Sequence, residues 1–336
     1  MSIEDTITNN LPVEPELTFP PIAGFWRRLA AWAVDALILV IVGQILGWTF
    51  SSFWFQIGPY GRIVGLLFIL PYFGVMNSCL GKGQTFGKRL FKIAVRDGNN
   101  ASLGLGRSVL RIAILAVPYI FNQWAIPILQ NRVIAWLVTI IIFGGGAVIL
   151  YTMVFNRPSR QGIHDLICKT YVVDLNKGTT LAAFPQTARK HWIISGVLVG
   201  LAVLLAFTGG ILSSALSANS ELAELQTLYQ TLQTDARFFS ASVKSMTIYE
   251  SQGTNAHSLE IGVWYKGRVP EAERLALMTE IASVVLSNVE NIEEYDYIKV
   301  TVSSAYDLGI ASGYISFWDA EPISVWVDRV NGAPTP

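Results

Sequence analysis

The chain has 336 residues, 52% of them hydrophobic and 14% charged, with a mean hydropathy of +0.44. A typical globular chain carries about 25% charged residues, so a disordered chain, a disulfide-stapled miniprotein and an ordinary cytosolic enzyme are excluded. The formal net charge of zero conceals a split: residues 1–212 hold 17 Lys+Arg against 8 Asp+Glu, and residues 213–336 hold 7 against 16.

Residues 1–23 are acidic and proline-rich and read as a flexible cytoplasmic tail. Five apolar stretches follow, at 29–50, 63–80, 108–126, 133–155 and 192–212. Each approaches the roughly 20 residues that a helix needs to cross about 30 Å of hydrocarbon. The first begins too late for a signal peptide, and no cleavage site follows it.

The connections expected on one side of the membrane carry Arg27, Arg28, Lys82, Lys88, Arg89, Lys92, Arg96, Arg107, Arg157, Arg160, Lys169, Lys177, Arg189 and Lys190. The opposite short loops carry Arg62 and Arg132. Excess Lys and Arg mark the cytoplasmic side, so the N-terminus is expected there and the acidic C-terminal part on the extracytoplasmic side. Trp26, Trp48, Trp54, Trp124 and Trp192 fall near the span ends, where they suit an interfacial aromatic belt.

Asp35 and Arg111 are ionisable residues inside expected spans. A lone charge at mid-membrane costs from about 3 to above 10 kcal/mol, so such groups pair or face water. Their similar depth predicts an Asp35–Arg111 ion pair, and Arg28, seven residues before Asp35, extends a polar stripe on nearly the same helix face. A helix-locking pair is the structural alternative, and a proton or cation site at Asp35 is the functional one.

Between the second and third stretches, 83–95 reads as an amphipathic segment. Phe86, Leu90, Phe91 and Ile93 are placed to meet acyl chains, with Lys88, Arg89 and Lys92 toward anionic lipid headgroups. Its GKGQTFGKR run lacks the G-x-x-x-x-G-K-[ST] spacing of a phosphate-binding loop. Further along, the adjacent His164 and Asp165 read as the cap of a short turn near the inner leaflet.

Three of these runs resemble the RDD family of membrane proteins. Residues Gly24-Phe25-Trp26-Arg27-Arg28 through Asp35 match its opening, with Arg28 and Asp35 as its arginine and first aspartate. Gly83-Gln84-Thr85-Phe86-Gly87-Lys88-Arg89-Leu90 matches its basic motif between spans. Arg160-Gln161-Gly162-Ile163-His164-Asp165-Leu166 matches its closing motif, with Asp165 as the second aspartate. The likeness covers roughly 22–174 and departs from the pattern at Cys168-Lys169, where a small Ala-Gly pair is usual. The family pattern also has about three spans, against four expected here before Asp165. The resemblance implies a membrane module; some members are linked to sodium/proton exchange and others to assembly of membrane complexes.

Beyond 213 the pattern changes. Leu222, Leu225, Tyr229, Leu232, Ala236, Phe239, Val243 and Met246 alternate at spacings of three and four, which predicts one long helix lying on its own sheet or pairing two chains. A strand is expected at 258–266, and a helix from Pro270 burying Leu277, Met278, Ile281, Val285 and Val289. Strands are expected at 297–303, 312–318 and 323–327. The order α-β-α-β-β implies a small α+β sandwich. No catalytic motif, metal-ligand spacing or cofactor signature appears there. The acidic run Glu290, Glu293, Glu294 and Asp296 reads as a solvated face, and the acidity argues against nucleic acid.

The expected fold is therefore an α-helical polytopic membrane bundle of about five transmembrane helices plus a small soluble α+β domain. Its divisions are a tail at 1–23, an RDD-like domain with four spans at 24–178, a linker at 179–191, a fifth span at 192–212 and an extracytoplasmic domain at 213–336. The expected function is non-enzymatic, without cofactor: anchoring an acidic domain that binds or organises a membrane complex through an unidentified protein partner. The alternative is a sodium or other cation/proton antiporter using Asp35.

Overall fold

A computed structural model of the chain describes residues 19–122, 131–177, 183–216, 220–249 and 255–332. Residues 1–18 of the expected 1–23 tail, Trp124 and residues 179–182 of the expected 179–191 linker lie outside them. The long helices are α1 (Phe25–Thr49), α3 (Gly61–Met76), α5 (Leu105–Phe121), α7 (Gly146–Phe155) and α9 (Arg189–Leu216). A short α2 (Ser51–Ile57) and a 3-10 turn at Gly58–Tyr60 run into α3. The α6 helix (Arg132–Thr139) joins α7 through a π-helical turn at Ile140–Gly145.

Among the described residues four stretches are long and apolar enough to cross a membrane: Phe25–Thr49, Ser51–Met76, Val133–Phe155 and Arg189–Ile211. Their large side chains point outward, as in Leu37, Ile45, Leu67, Leu150 and Leu205, which in a soluble protein would be an aggregation hazard. The second stretch begins a dozen residues before the expected 63. The third expected span is the 17-residue α5, which reaches about 26 Å at 1.5 Å per residue. The chain is a multi-pass integral membrane protein with a smaller α+β domain.

Two compact units divide the chain. One comprises residues 1–35, 70–115 and 147–197, the other 36–69, 116–146 and 198–336.

In the first unit, α4 (Phe86–Leu90) leads into β1 (Ile93–Asp97), and α8 (Ile163–Cys168) into β2 (Thr170–Asp174). The two strands pair antiparallel, Ile93 opposite Asp174 and Asp97 opposite Thr170. The entry segment joins their edge: Ala23 N donates to Val172 O at 2.8 Å and Asp174 N to Pro21 O at 2.7 Å. Ile93, Ala94, Val95 and Val173 are fully buried. The expected amphipathic segment therefore does not persist past Leu90. Phe86 and Leu90 are exposed, but Ile93 faces a protein core, because three apolar residues in succession suit a strand covered on both faces.

The second unit holds a four-stranded sheet of order β3 (Phe238–Tyr249), β4 (Asn255–Tyr265), β5 (Tyr297–Asp307) and β6 (Ser312–Pro322). β4 and β5 are parallel, joined by α11 (Arg274–Asn288), and the other pairs are antiparallel. The core gathers Leu225, Leu228 and Leu232 of α10 (Ser220–Thr234), Leu259, Ile261, Val263, Val300, Val302, Ile281, Val285 and Trp326.

Two expectations change. The three-four seam ends at Thr234, and Phe239, Val243 and Met246 lie on a strand; a four-residue spacing suits one face of a helix or of a regular strand, but β3 is bulged between Phe238 and Ser240, so Phe238 rather than Phe239 joins Val243 at the core. Residues 323–327 open a helix, α12 (Ile323–Val330), rather than a strand. Ile323 and Trp326, one turn apart, both reach the core, and Trp326 Nε1 donates to Ile298 O at 2.9 Å.

Candidate functional site

The polar interior of the first unit is built around two aspartates. Asp165 sits in the first turn of α8 and is fully buried. Arg111, two turns into α5, reaches one carboxylate oxygen with Nε at 2.8 Å and NH2 at 2.7 Å. Arg28 of α1 donates NH2 to the other oxygen at 2.8 Å, and its NH1 donates to Arg160 O. Thr170 Oγ1, the first residue of β2, adds a bond at 2.8 Å. Three segments distant in sequence thus converge on one carboxylate.

Burial opposes the charge on Asp165, but the Arg111 and Arg28 guanidiniums and the Thr170 hydroxyl outweigh it and hold the carboxyl below the usual carboxylate range. His164 beside it, Nε2 at 3.4 Å from the carboxylate, is 1% exposed. Burial is the main force pushing its pKa down to about 3, helped by Arg111, Arg28 and Lys88 and opposed by Asp165. It is therefore a neutral ring at pH 7. Adjacent in sequence, the two side chains come within 3.4 Å of each other at the start of α8.

Asp35 is 1% exposed and makes a separate set of contacts. Thr85 Oγ1 donates to it at 2.5 Å, Tyr72 OH at 2.7 Å and Gly87 N at 2.8 Å. No Lys or Arg nitrogen lies within 4.0 Å of its carboxylate among the described residues. The expected Asp35–Arg111 pair is not formed. Arg111 turns to Asp165 because α8 offers a carboxylate that accepts both of its nitrogens, while α4 brings neutral donors to Asp35. Arg28 likewise bonds Asp165 rather than extending a stripe from Asp35.

The GKGQTFGKR run builds the Asp35 cradle. Thr85 caps α4 by accepting from Lys88 N at 3.3 Å, leaving its hydroxyl hydrogen for Asp35. At Gly87 a Cβ would overlap the Ala31 carbonyl and come within 3.1 Å of the Asp35 carboxylate carbon, so only glycine lets α4 lie against α1.

Lys88 does not face outward as expected: its ammonium donates to Asn77 Oδ1. Burial first, then repulsion from Arg111, lowers its pKa well below the ordinary lysine value. Arg89 and Lys92 are exposed. Lys169, where the family pattern has glycine, closes α8 at φ 50° and ψ 54°, a left-handed conformation that glycine adopts without strain. Trp26, Trp48 and Trp192 are exposed, whereas Trp54 is buried and donates Nε1 to Leu46 O at 2.7 Å. Among the described residues no group of His, Cys, Asp and Glu is placed to hold a metal ion.

Residues 22–169 match the RDD family. This stretch is an RDD domain. It contains Arg28, Asp35, Arg111 and Asp165, and no family matches the region beyond it. Over 170 residues the chain is 26% identical to the uncharacterized protein YckC of Bacillus subtilis (strain 168), covering 50% of this chain and 95% of that one. It is 27% identical over 170 residues to the uncharacterized membrane protein YteJ of the same organism, covering 48% and 87%. No solved structure matches the chain. The basic motif and the two aspartates of the RDD domain are thus the elements that build both cradles. Tyr72 was missed because a tyrosine in an apolar helix carries no sequence signal of its partner.

Proposed function

We propose that the RDD domain is a non-enzymatic membrane anchor that presents the acidic sheet domain to a protein partner on the extracytoplasmic side. The observation that carries this reading is the occupancy of the two buried carboxylates. Asp165 is bonded by two guanidiniums and a hydroxyl, and Asp35 by two hydroxyls and a backbone amide. Groups held this way lock helices together. The concentration of Lys and Arg in the connections around β1 and β2 supports a cytoplasmic N-terminus. Exposed Arg89 and Lys92 suit anionic headgroups at that surface.

The antiporter reading draws on a different observation: among the described residues the hydrogen bonds to Asp35 come from neutral donors, and no Lys or Arg nitrogen lies within 4.0 Å of its carboxylate. Such a carboxylate can exchange a proton for a cation without breaking an ion pair. Purification in mild detergent, with sodium-driven proton movement measured in vesicles, separates the two. A stoichiometric partner and no flux supports the anchor. Flux that Asp35→Asn abolishes without loss of folded protein would replace it with the antiporter.

A further inference from the structure

Helix α1 carries Gly43-Gln44-Ile45-Leu46-Gly47 and α3 carries Gly61-Arg62-Ile63-Val64-Gly65. Each is a glycine pair four residues apart, the spacing at which membrane helices approach backbone to backbone. Here the pairs receive the turn between β5 and β6 instead. At Gly43 the space of a Cβ is taken by Ile310 and Ala311, at Gly47 by Tyr306, at Gly61 by Asp307 and Leu308, and at Gly65 by the Leu308 carbonyl. Tyr306, Leu308 and Ile310 are all buried. Non-helical backbone at membrane depth is tolerated where protein covers it, and this turn is covered.

The turn is preformed. Leu308 N donates to Ala311 O at 2.8 Å, Gly309 N to Asp307 Oδ1 at 2.7 Å, and Gly309 has φ +71°. It therefore keeps its shape whether or not it is seated. Arg62 and Tyr119 tie it to the helices: Arg62 Nε donates to Asp307 at 2.7 Å while its NH1 holds Ile120 O, and Tyr119 OH donates to Gly309 O.

We propose that the β5–β6 turn is an exchangeable latch: seated, it keeps α1 and α3 apart, and when it leaves, the two glycine faces it occupied pack on each other. The helix pair then has two arrangements, and the sheet domain selects between them.

The test uses the full chain in lipid nanodiscs with Cys79 and Cys168 replaced by serine. Ile310→Cys reports seating through its reaction with a polar thiol reagent. Spin labels at the exposed Ile45 and Ile63, in a separate preparation, report the separation of α1 and α3. Gly65→Ala puts a Cβ into the Leu308 carbonyl. It should raise the labelling rate at least tenfold and shorten the label-to-label distance. Arg62→Gln, which adds no atoms to the seat, should shift both in the same direction by less and serves if Gly65→Ala does not fold. Gly200→Ala, with no neighbour within 4 Å, should leave both unchanged. Wild-type labelling in both Gly65→Ala and Arg62→Gln would overturn the latch. So would faster labelling with an unchanged or longer distance, or an equal response in Gly200→Ala.

Discussion

Arg111 holds one oxygen of Asp165 with two nitrogens, at 2.8 and 2.7 Å, while Arg28 holds the other at 2.8 Å. The carboxylate is the hub and the arginines are its spokes. Asp165→Asn strands two buried guanidiniums and should cost about 3–5 kcal/mol, the range for breaking a buried pair from one side. Arg111→Gln leaves a one-to-one pair with Arg28 and should cost less. Folded yield and thermal stability of the two variants, measured side by side, check the order; equal losses would mean the charges are not arranged as a hub.

His164 makes stability depend on pH. Its folded pKa of about 3 lies below the ordinary 6.5, so the unfolded chain binds a proton that the folded chain does not. Stability is full above pH 6.5 and falls as the pH drops toward 3, by up to about 1.4 kcal/mol per unit. Asp165 is depressed too, and its contribution is lost only below the ordinary carboxylate range. Thermal melts between pH 7.5 and 5 should slope downward in the wild type and flatten in His164→Gln.

Gly87→Ala should separate α4 from α1, because the added carbon overlaps the Ala31 carbonyl. The same change withdraws two of the three donors from Asp35. Thr85→Val removes one donor and its cap and should cost about 1–3 kcal/mol, as for a buried group left unsatisfied. Gly87→Ala should therefore be the more damaging, read as loss of folded protein in detergent.

Much of this architecture is legible in the chain. The apolar runs mark the helices, and Arg28, Asp35 and Asp165 stand out as charges near or within them. The pairing is not legible. Depth alone matched Arg111 with Asp35, yet the choice is made by α8 and α4, whose positions depend on the β1–β2 ribbon. The sheet domain shows a second limit: Phe239 and Val243 keep a spacing that a helix and a strand share, so β3 was hidden behind a helical reading. Pro270 and the acids after it, by contrast, announce a helical region through local geometry, although they form a 3-10 turn over Glu271–Glu273 and α11 itself begins at Arg274.

Leu228 of α10 is fully buried in the sheet-domain core. Leu228→Ala should destabilise that domain by about 2–5 kcal/mol, the range for truncating a buried leucine. Added protease should then cut residues 220–332 faster at moderate temperature, with residues 83–107 unaffected. On intact spheroplasts the same protease should remove residues 213–336 and spare 83–107; protection of the sheet domain would contradict an extracytoplasmic placement.

The antiparallel pairing of Ile93–Asp97 with Thr170–Asp174, edged by Pro21 to Ala23, imposes an order on biosynthesis. The ribosome delivers the N-terminal edge first, the first strand some seventy residues later and the middle strand after a similar interval. During the whole of that interval Ile93 and Val95 wait without their partner. A nascent chain stalled before Thr170 would present an open strand edge and an uncountered Arg28–Arg111 pair at once, two marks by which quality control could tell an unfinished protein from a finished one.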